Sequence, residues 1–282
     1  MSITEIIREF SESIYLPDLI LCFGGLVILA YWLLRTSLGR RALLDSPPRS
    51  NNLPAYSPLI PLFIWFGAAS IAIAYTSQKL PDLETWKTAL LNNAFMCLGG
   101  AGAAAATIVL ARQHFTERLK GFGLGVSNIH KDLGCAFVNL LAVWPLIVLM
   151  LSLTIIIGKW MYGQDFEMER HEELELITAY PQLSLRILIV FTVVVVAPVV
   201  EEMVFRGLAQ TMIRTFTARP WFAVVITSAL FAIIHPNMQH WPALFFLAMA
   251  LGYSYEKSGS LWRPILIHAI FNAVNIIGAL YQ

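Results

Sequence analysis

Ionisable and amide side chains that could do chemistry sit in three apolar stretches of the last third of this 282-residue chain: VVVVAPVVEEMVFRG, TSALFAIIHPNMQH and PILIHAIFNAVN. They hold Glu201, Glu202, Arg206, His235, His268 and Asn272, whereas the apolar stretches of the first half are nearly free of such groups. A charged group at the centre of a membrane helix costs at least about 2.5–3.5 kcal/mol, so those that persist are mainly paired or functional.

Spacing divides the labour. Adjacent residues on a helix point about 100° apart, so Glu201 and Glu202 cannot share a face. Glu202 and Arg206 stand i,i+4 with the acid first, the favourable order for an ion pair. One carboxylate is thereby tied down, and Glu201 is left to act as a base. Phe231 and His235 also stand i,i+4, with Pro236 ending or breaking their helix. His268 and Asn272 repeat the spacing and put an imidazole and a carboxamide one turn apart, suited to donating to a developing oxyanion. Pro198, just before the two acids, predicts a kink.

The composition says what must position these groups. The chain is 57% hydrophobic and 13% charged, with a mean hydropathy of +0.67. Soluble domains carry roughly 25% charged residues, so too little polar surface remains to coat a water-soluble core. A bilayer core needs roughly 20 helical residues. Apolar stretches of that length or near it are Leu19–Leu34, Pro58–Thr76, Ala89–Ala111, Phe137–Gly158, Leu183–Phe205 (continuing toward Phe216), Trp221–His235, Pro242–Tyr255 and Pro264–Leu280. The expected fold is all-α, a polytopic membrane protein of about eight transmembrane helices. Residues 1–182 are expected to form an N-terminal membrane region of about four helices, and 183–282 the core that carries the chemistry.

Alternate connections differ in charge. One set, including the stretch around Arg206–Pro220, holds Arg35, Arg40, Arg41, Arg49, Arg112, Arg118, Lys120, Lys131, Arg206, Arg214, Arg219, Lys257 and Arg263. The other holds only Arg8, Lys79, Lys87, Lys159 and Arg170, with the acidic run Asp165–Glu175. The positive-inside rule puts the first set in the cytoplasm and both termini outside. The net-acidic N-terminus lacks a signal peptide's basic start, so Leu19 onward is expected to be a retained span. The acidic run itself suggests a solvated interfacial helix. Three scattered cysteines, Cys22, Cys97 and Cys135, argue against a disulfide framework or a cysteine metal site. Nothing suggests nucleic-acid binding. At 1.5 Å per residue the polar residues of the three helices can meet in the middle to cytoplasmic half of the membrane, provided the fifth helix runs on to about Phe216.

EEMVFR (Glu201–Arg206), FAIIH (Phe231–His235) and HAIFN (His268–Asn272), in this order, fit the EExxxR, FxxxH and HxxxN motifs. The chain thus resembles the CAAX protease and bacteriocin-processing family, which includes the type II CAAX prenyl endopeptidases. The resemblance covers roughly the last hundred residues. It implies a bundle with a buried conical active-site cavity open to the cytoplasm, in a bacterial or archaeal inner membrane. It further implies an intramembrane endopeptidase that cleaves near the C-terminus of a membrane-associated or prenylated substrate. Glu201 then matches the water-activating glutamate, assisted by His235. His268 and Asn272 match the oxyanion pair, with Glu202, Arg206 and Phe231 in support. No cofactor is expected. A metalloenzyme alternative would set Zn²⁺ on Glu201, His235 and His268, although HExxH is absent. Expected partners are membrane lipids and a peptide or lipidated protein substrate. Two other readings use the same cluster: a proton- or solute-coupled transporter, disfavoured by the unlike halves, and a non-catalytic membrane scaffold.

Overall fold

The computed structural model describes residues 16–46 and 48–280. The acidic N-terminal stretch with Arg8 lies outside the described residues. Each apolar stretch falls on a helix: α1 Leu16–Arg35, α2 Leu59–Lys79, α3 Thr85–His114, α4 Ile129–Tyr162, α5 Leu183–Thr217, α6 Pro220–Ile233, α7 Trp241–Ser258 and α8 Trp262–Leu280. Short helices at Arg118–Phe122 and Glu172–Ala179 lie between them. Among the described residues there is no strand, only an isolated bridge between Asn51 and Phe115.

Five helices, α2, α3, α4, α5 and α8, are long and apolar enough to cross a membrane. α1 and α6 are apolar but shorter, and α7 turns polar over its last residues, Ser254–Ser258. Large apolar side chains face outward along the bundle, among them Phe23 (72% exposed), Phe63 (74%) and Trp160 (78%). In water such surface would drive association; in hydrocarbon it needs no cover. The chain is an integral membrane protein.

The connections that carry the basic residues gather at one end of the bundle. Asn51 Nδ2 donates to Thr215 Oγ1 at 2.9 Å, and Arg49 Nη2 to the Tyr255 carbonyl at 2.7 Å. Tyr255 Oη donates to the Phe122 carbonyl at 3.0 Å, and Arg263 binds Asp132 at 2.9 Å. The acidic stretch 163–182 lies at the other end, where it meets the α6–α7 connection. The two sets of connections distinguished by charge are therefore also two ends in space. Arg206 is the exception in the basic set: it is fully buried within α5, because its guanidinium has a carboxylate and a carbonyl to bind there.

α5 runs unbroken through Pro198, and its helical geometry changes on either side of that residue. π-helical turns at Thr192–Val196 and Met203–Gln210 flank an α-helical Ala197–Glu202. Proline lacks an N–H and its ring crowds the carbonyl four residues back. The wider π turn just before it relieves both conditions, and such turns are frequent at functional sites. The α-helix drifts about 40° every four residues, and wider turns reduce that drift. Glu202, Arg206, Gln210 and Arg214 consequently form one polar stripe down α5.

That stripe meets α7 in a parallel ladder of constant offset. Arg206 Nη2 donates to the Ala248 carbonyl at 3.2 Å, Gln210 Nε2 to the Gly252 carbonyl at 3.0 Å, and Arg214 Nε to Glu256 Oε1 at 3.1 Å. Gly252 permits the middle rung, since a Cβ there would lie 2.7 Å from Gln210 Oε1. The ladder fixes the depth of α5 against α7, and with it the depth of the acids one turn above.

Candidate active site

Glu202, fully buried, is held from two sides. Arg206 Nη1 donates to its Oε1 at 2.9 Å, the pairing expected from spacing, and His268 Nδ1 approaches the same oxygen at 2.9 Å. An ionised carboxylate only accepts, so His268 carries its proton on Nδ1 and turns Nε2 toward Glu201, whose Oε2 lies 3.8 Å away. Glu201 is mostly buried, and its Oε2 has no hydrogen-bond partner. With both acids ionised, Arg206 balances one negative charge and an imidazolium at His268 would balance the other.

Phe231 is the hub of the cluster. Its ring lies under the Arg206 guanidinium at 4.6 Å and meets the rings of His235 at 4.8 Å and His268 at 5.7 Å. This cation–π stacking in a dry site is worth about 2 kcal/mol. α6 ends at Ile233, in keeping with Pro236. His235 lies just beyond, with Nδ1 at 2.7 Å from the Phe231 carbonyl. A carbonyl can only accept, so His235 Nδ1 carries the proton and Nε2 is the free basic nitrogen. Trp241 Nε1 donates to the His235 carbonyl at 2.9 Å and fixes the turn.

Asn272 lies one turn beyond His268 on α8. Its Nδ2 donates to the Val193 carbonyl at 2.8 Å, inside the first π turn of α5. It ties α8 to the turn that accommodates Pro198, leaving one amide hydrogen and the oxygen for other work. The structure thus gathers Glu201, Glu202, Arg206, Phe231 and His268 directly, joins His235 through Phe231, and braces α5 with Asn272. Among the described residues no three His, Cys, Asp or Glu side chains are arranged to hold a metal ion.

Sequence reading missed the contribution of 163–182. This acidic stretch is not merely a solvated helix. His171 stacks on His240 with ring centroids 4.4 Å apart, and the Glu169 backbone bonds Gln239 and His240 at 3.0 and 2.9 Å. Ile177 is fully buried against Leu185 and Ile276. Burial, then the neighbouring His240 and His235, push His171 down to about 4. Glu173 presents an accessible carboxylate amid surrounding protein, and its pKa is raised by burial first and by Glu172 and Glu201 after. The available signal was weak: two histidines and an apolar Leu174–Ile177 pattern within an acidic run.

Residues 183–274 match the family model described as "Type II CAAX prenyl endopeptidase Rce1-like". This part of the chain is similar to that family. The matched segment contains every residue of the cluster just described. Over 119 residues, 42% of the chain, it is 25% identical to "Putative membrane peptidase YdiL" of Bacillus subtilis (strain 168), covering 46% of that protein. Over 86 residues, 29% of the chain, it is 31% identical to "Uncharacterized 24.3 kDa protein" of Escherichia coli, covering 40% of it. The chain thus spans less than half the length of these relatives. No solved structure matches it.

Proposed function

We propose that this chain is an intramembrane endopeptidase that hydrolyses a peptide bond near the C-terminus of a membrane-associated or prenylated substrate. The observation that carries the reading is a buried Glu201 oxygen without a partner, beside a carboxylate–histidine pair, inside the segment that matches the Rce1-like model. Glu201 takes a proton from water, and His235 assists through its free Nε2. The hydroxide adds to the scissile carbonyl, and the oxyanion is met by donors from His268 and Asn272. The proton held by Glu201 then passes to the leaving amine as the C–N bond breaks. Glu202 and Arg206 set the orientation of His268. No metal enters this sequence. All eight helices traverse the bilayer around a conical cavity, with the basic end and the opening toward the cytoplasm and both termini outside.

The test is cleavage of a quenched farnesylated peptide library by the purified, reconstituted protein, comparing wild type with Glu201→Gln and His235→Ala, each with and without chelator. Loss of a general base lowers rates by about 10²–10⁴-fold, so Glu201→Gln should fall by at least 100-fold while remaining folded. Cleavage by Glu201→Gln at the wild-type rate would sink the mechanism. Activity lost with chelator and restored by zinc would overturn its metal-free form.

A further inference from the structure

A concavity lies at the basic end, away from Glu201. It is a cavity of about 200 Å³ between α4 and α7, lined by Gly134, Asn139, Tyr253, Ser254, Lys257 and Arg263 along with Cys135 and Val138. Arg263 is oriented by its neighbours: Nε and Nη2 both donate to Asp132 Oδ1, at 3.1 and 2.9 Å. Asp132, itself buried, also accepts from Ser260. Tyr253 is held by a 2.8 Å hydrogen bond from Trp32 Nε1 to its Oη and by stacking on Trp221 at 5.9 Å. Accepting from Trp32 leaves the Tyr253 hydroxyl proton to donate. Lys257 is exposed and enters no ion pair among the described residues. The cavity therefore offers an unneutralised ammonium, a phenol proton and the Asn139 amide on a pre-set frame.

We propose that this cavity binds the phosphate headgroup of an anionic phospholipid. Basic pockets between membrane helices on the cytoplasmic side are suited to such headgroups, and the charge asymmetry assigns this end to that side. Lipid fits better than free phosphate because the adjoining face of α4 is apolar and open: Leu133, Phe137 and Val138 are exposed beside the cavity. A phosphate seated at Lys257 and Tyr253 leaves its acyl chains to run along that face. Gly134 keeps the floor open, since a Cβ added there meets nothing within 4 Å.

The experiment uses the full chain in neutral detergent, titrated with phosphatidylglycerol, phosphatidylcholine or inorganic phosphate, with retained lipid counted by native mass spectrometry and thermal unfolding followed in parallel. Wild type should retain phosphatidylglycerol over phosphatidylcholine and gain thermal stability from it, with no gain from inorganic phosphate at equal concentration. One near-surface lysine contributes about 1 kcal/mol, so Lys257→Gln should weaken phosphatidylglycerol binding about fivefold. Gly134→Leu fills the floor without altering charge and improves helix propensity, so it should abolish retention while staying folded. Lys120→Gln, at an exposed lysine paired with Glu117 at 3.3 Å, should behave as wild type. Unchanged phosphatidylglycerol retention in both Lys257→Gln and Gly134→Leu overturns the proposal. So does an equal gain from inorganic phosphate. Peptide cleavage is not the readout, so failure here is separable from failure of the protease mechanism.

Discussion

The buried trio of Glu202, Arg206 and His268 makes a quantitative prediction about how the site is held. Arg206→Met removes the 2.9 Å bond to Glu202, the 3.2 Å bond to the Ala248 carbonyl and the cation lying 4.6 Å from the Phe231 ring. Removing one partner of a buried pair costs about 3–5 kcal/mol, because the remaining charge is left uncompensated. Glu202→Leu should cost a similar amount, since it strands a guanidinium at zero exposure. The two single changes thus sum to about 6–10 kcal/mol. The double variant strands no charge. Apolar replacement of a buried pair is often neutral or stabilising, which leaves mainly the orphaned His268 Nδ1 and Ala248 carbonyl, at about 1–3 kcal/mol each. At the centres of these ranges the coupling energy between the two sites is about 4 kcal/mol, well beyond the few tenths seen for independent sites.

The assay is reversible unfolding in mixed micelles by titrated SDS, followed by tryptophan fluorescence, for wild type, both singles and the double. Peptide cleavage on the same samples separates fold from function. The double should regain much of the lost stability yet stay inactive, because His268 has lost the carboxylate that orients it. Single effects that add within about 0.5 kcal/mol, or an Arg206→Met protein as stable as wild type, would refute the reasoning that Arg206 compensates Glu202.

Three further outcomes follow from the same geometry. His171, held down to about 4 in the fold against 6.5 when free, binds fewer protons folded than unfolded across that window, so its contribution is complete above pH 6.5 and lost as pH falls toward 4, by at most about 3 kcal/mol. His171→Phe keeps the stack on His240 and should flatten the fall in thermal stability from pH 6.5 to 4.5 relative to wild type; the raised Glu173 is common to both proteins, and identical slopes would exclude the assignment. Gly207→Ala drives a methyl into the ring of the fully buried Phe122 and should cost about 1–3 kcal/mol by SDS unfolding, whereas Gly134→Ala, which meets nothing, should be neutral or stabilising. Asn272→Ala frees the Val193 carbonyl in the π turn and should cost about 1–3 kcal/mol even in a Glu201→Gln background, where catalysis contributes nothing.

What could be read in the sequence was whatever has a fixed period or a fixed cost. The apolar stretches announced helices because length and hydropathy suffice, and the Glu202–Arg206 pair because i,i+4 neighbours meet on any helix. The ladder to α7 was half visible, since Glu202, Arg206, Gln210 and Arg214 recur every four residues. Its register depends on π turns, which no residue pattern specifies. Pro198 marked the place of the irregularity, which takes the form of a wider turn. The packing of His171 on His240 joins residues 69 apart in sequence, and no period within either segment encodes it.

These irregularities share one physical purpose. A lone carboxylate in a membrane helix would shed its charge or its place. Glu201 keeps its place because the residues around it are each held by several contacts. Glu202 is clamped by Arg206 and orients His268. Arg206 is clamped by Phe231 and α7. The π turn that admits Pro198 is braced by Asn272 from α8. Glu201 Oε2 and Glu202 Oε2 are both buried without a partner, but the Glu202 carboxylate is held through its other oxygen by Arg206 and His268. In a bundle whose other buried acids, Glu202, Asp132 and Glu256, each accept from an arginine, that difference sets Glu201 apart as the acid the proposed mechanism uses. It is also why the Arg206–Glu202 cycle bears on the mechanism: if the clamp is not energetically coupled, nothing holds the reactive acid at its depth.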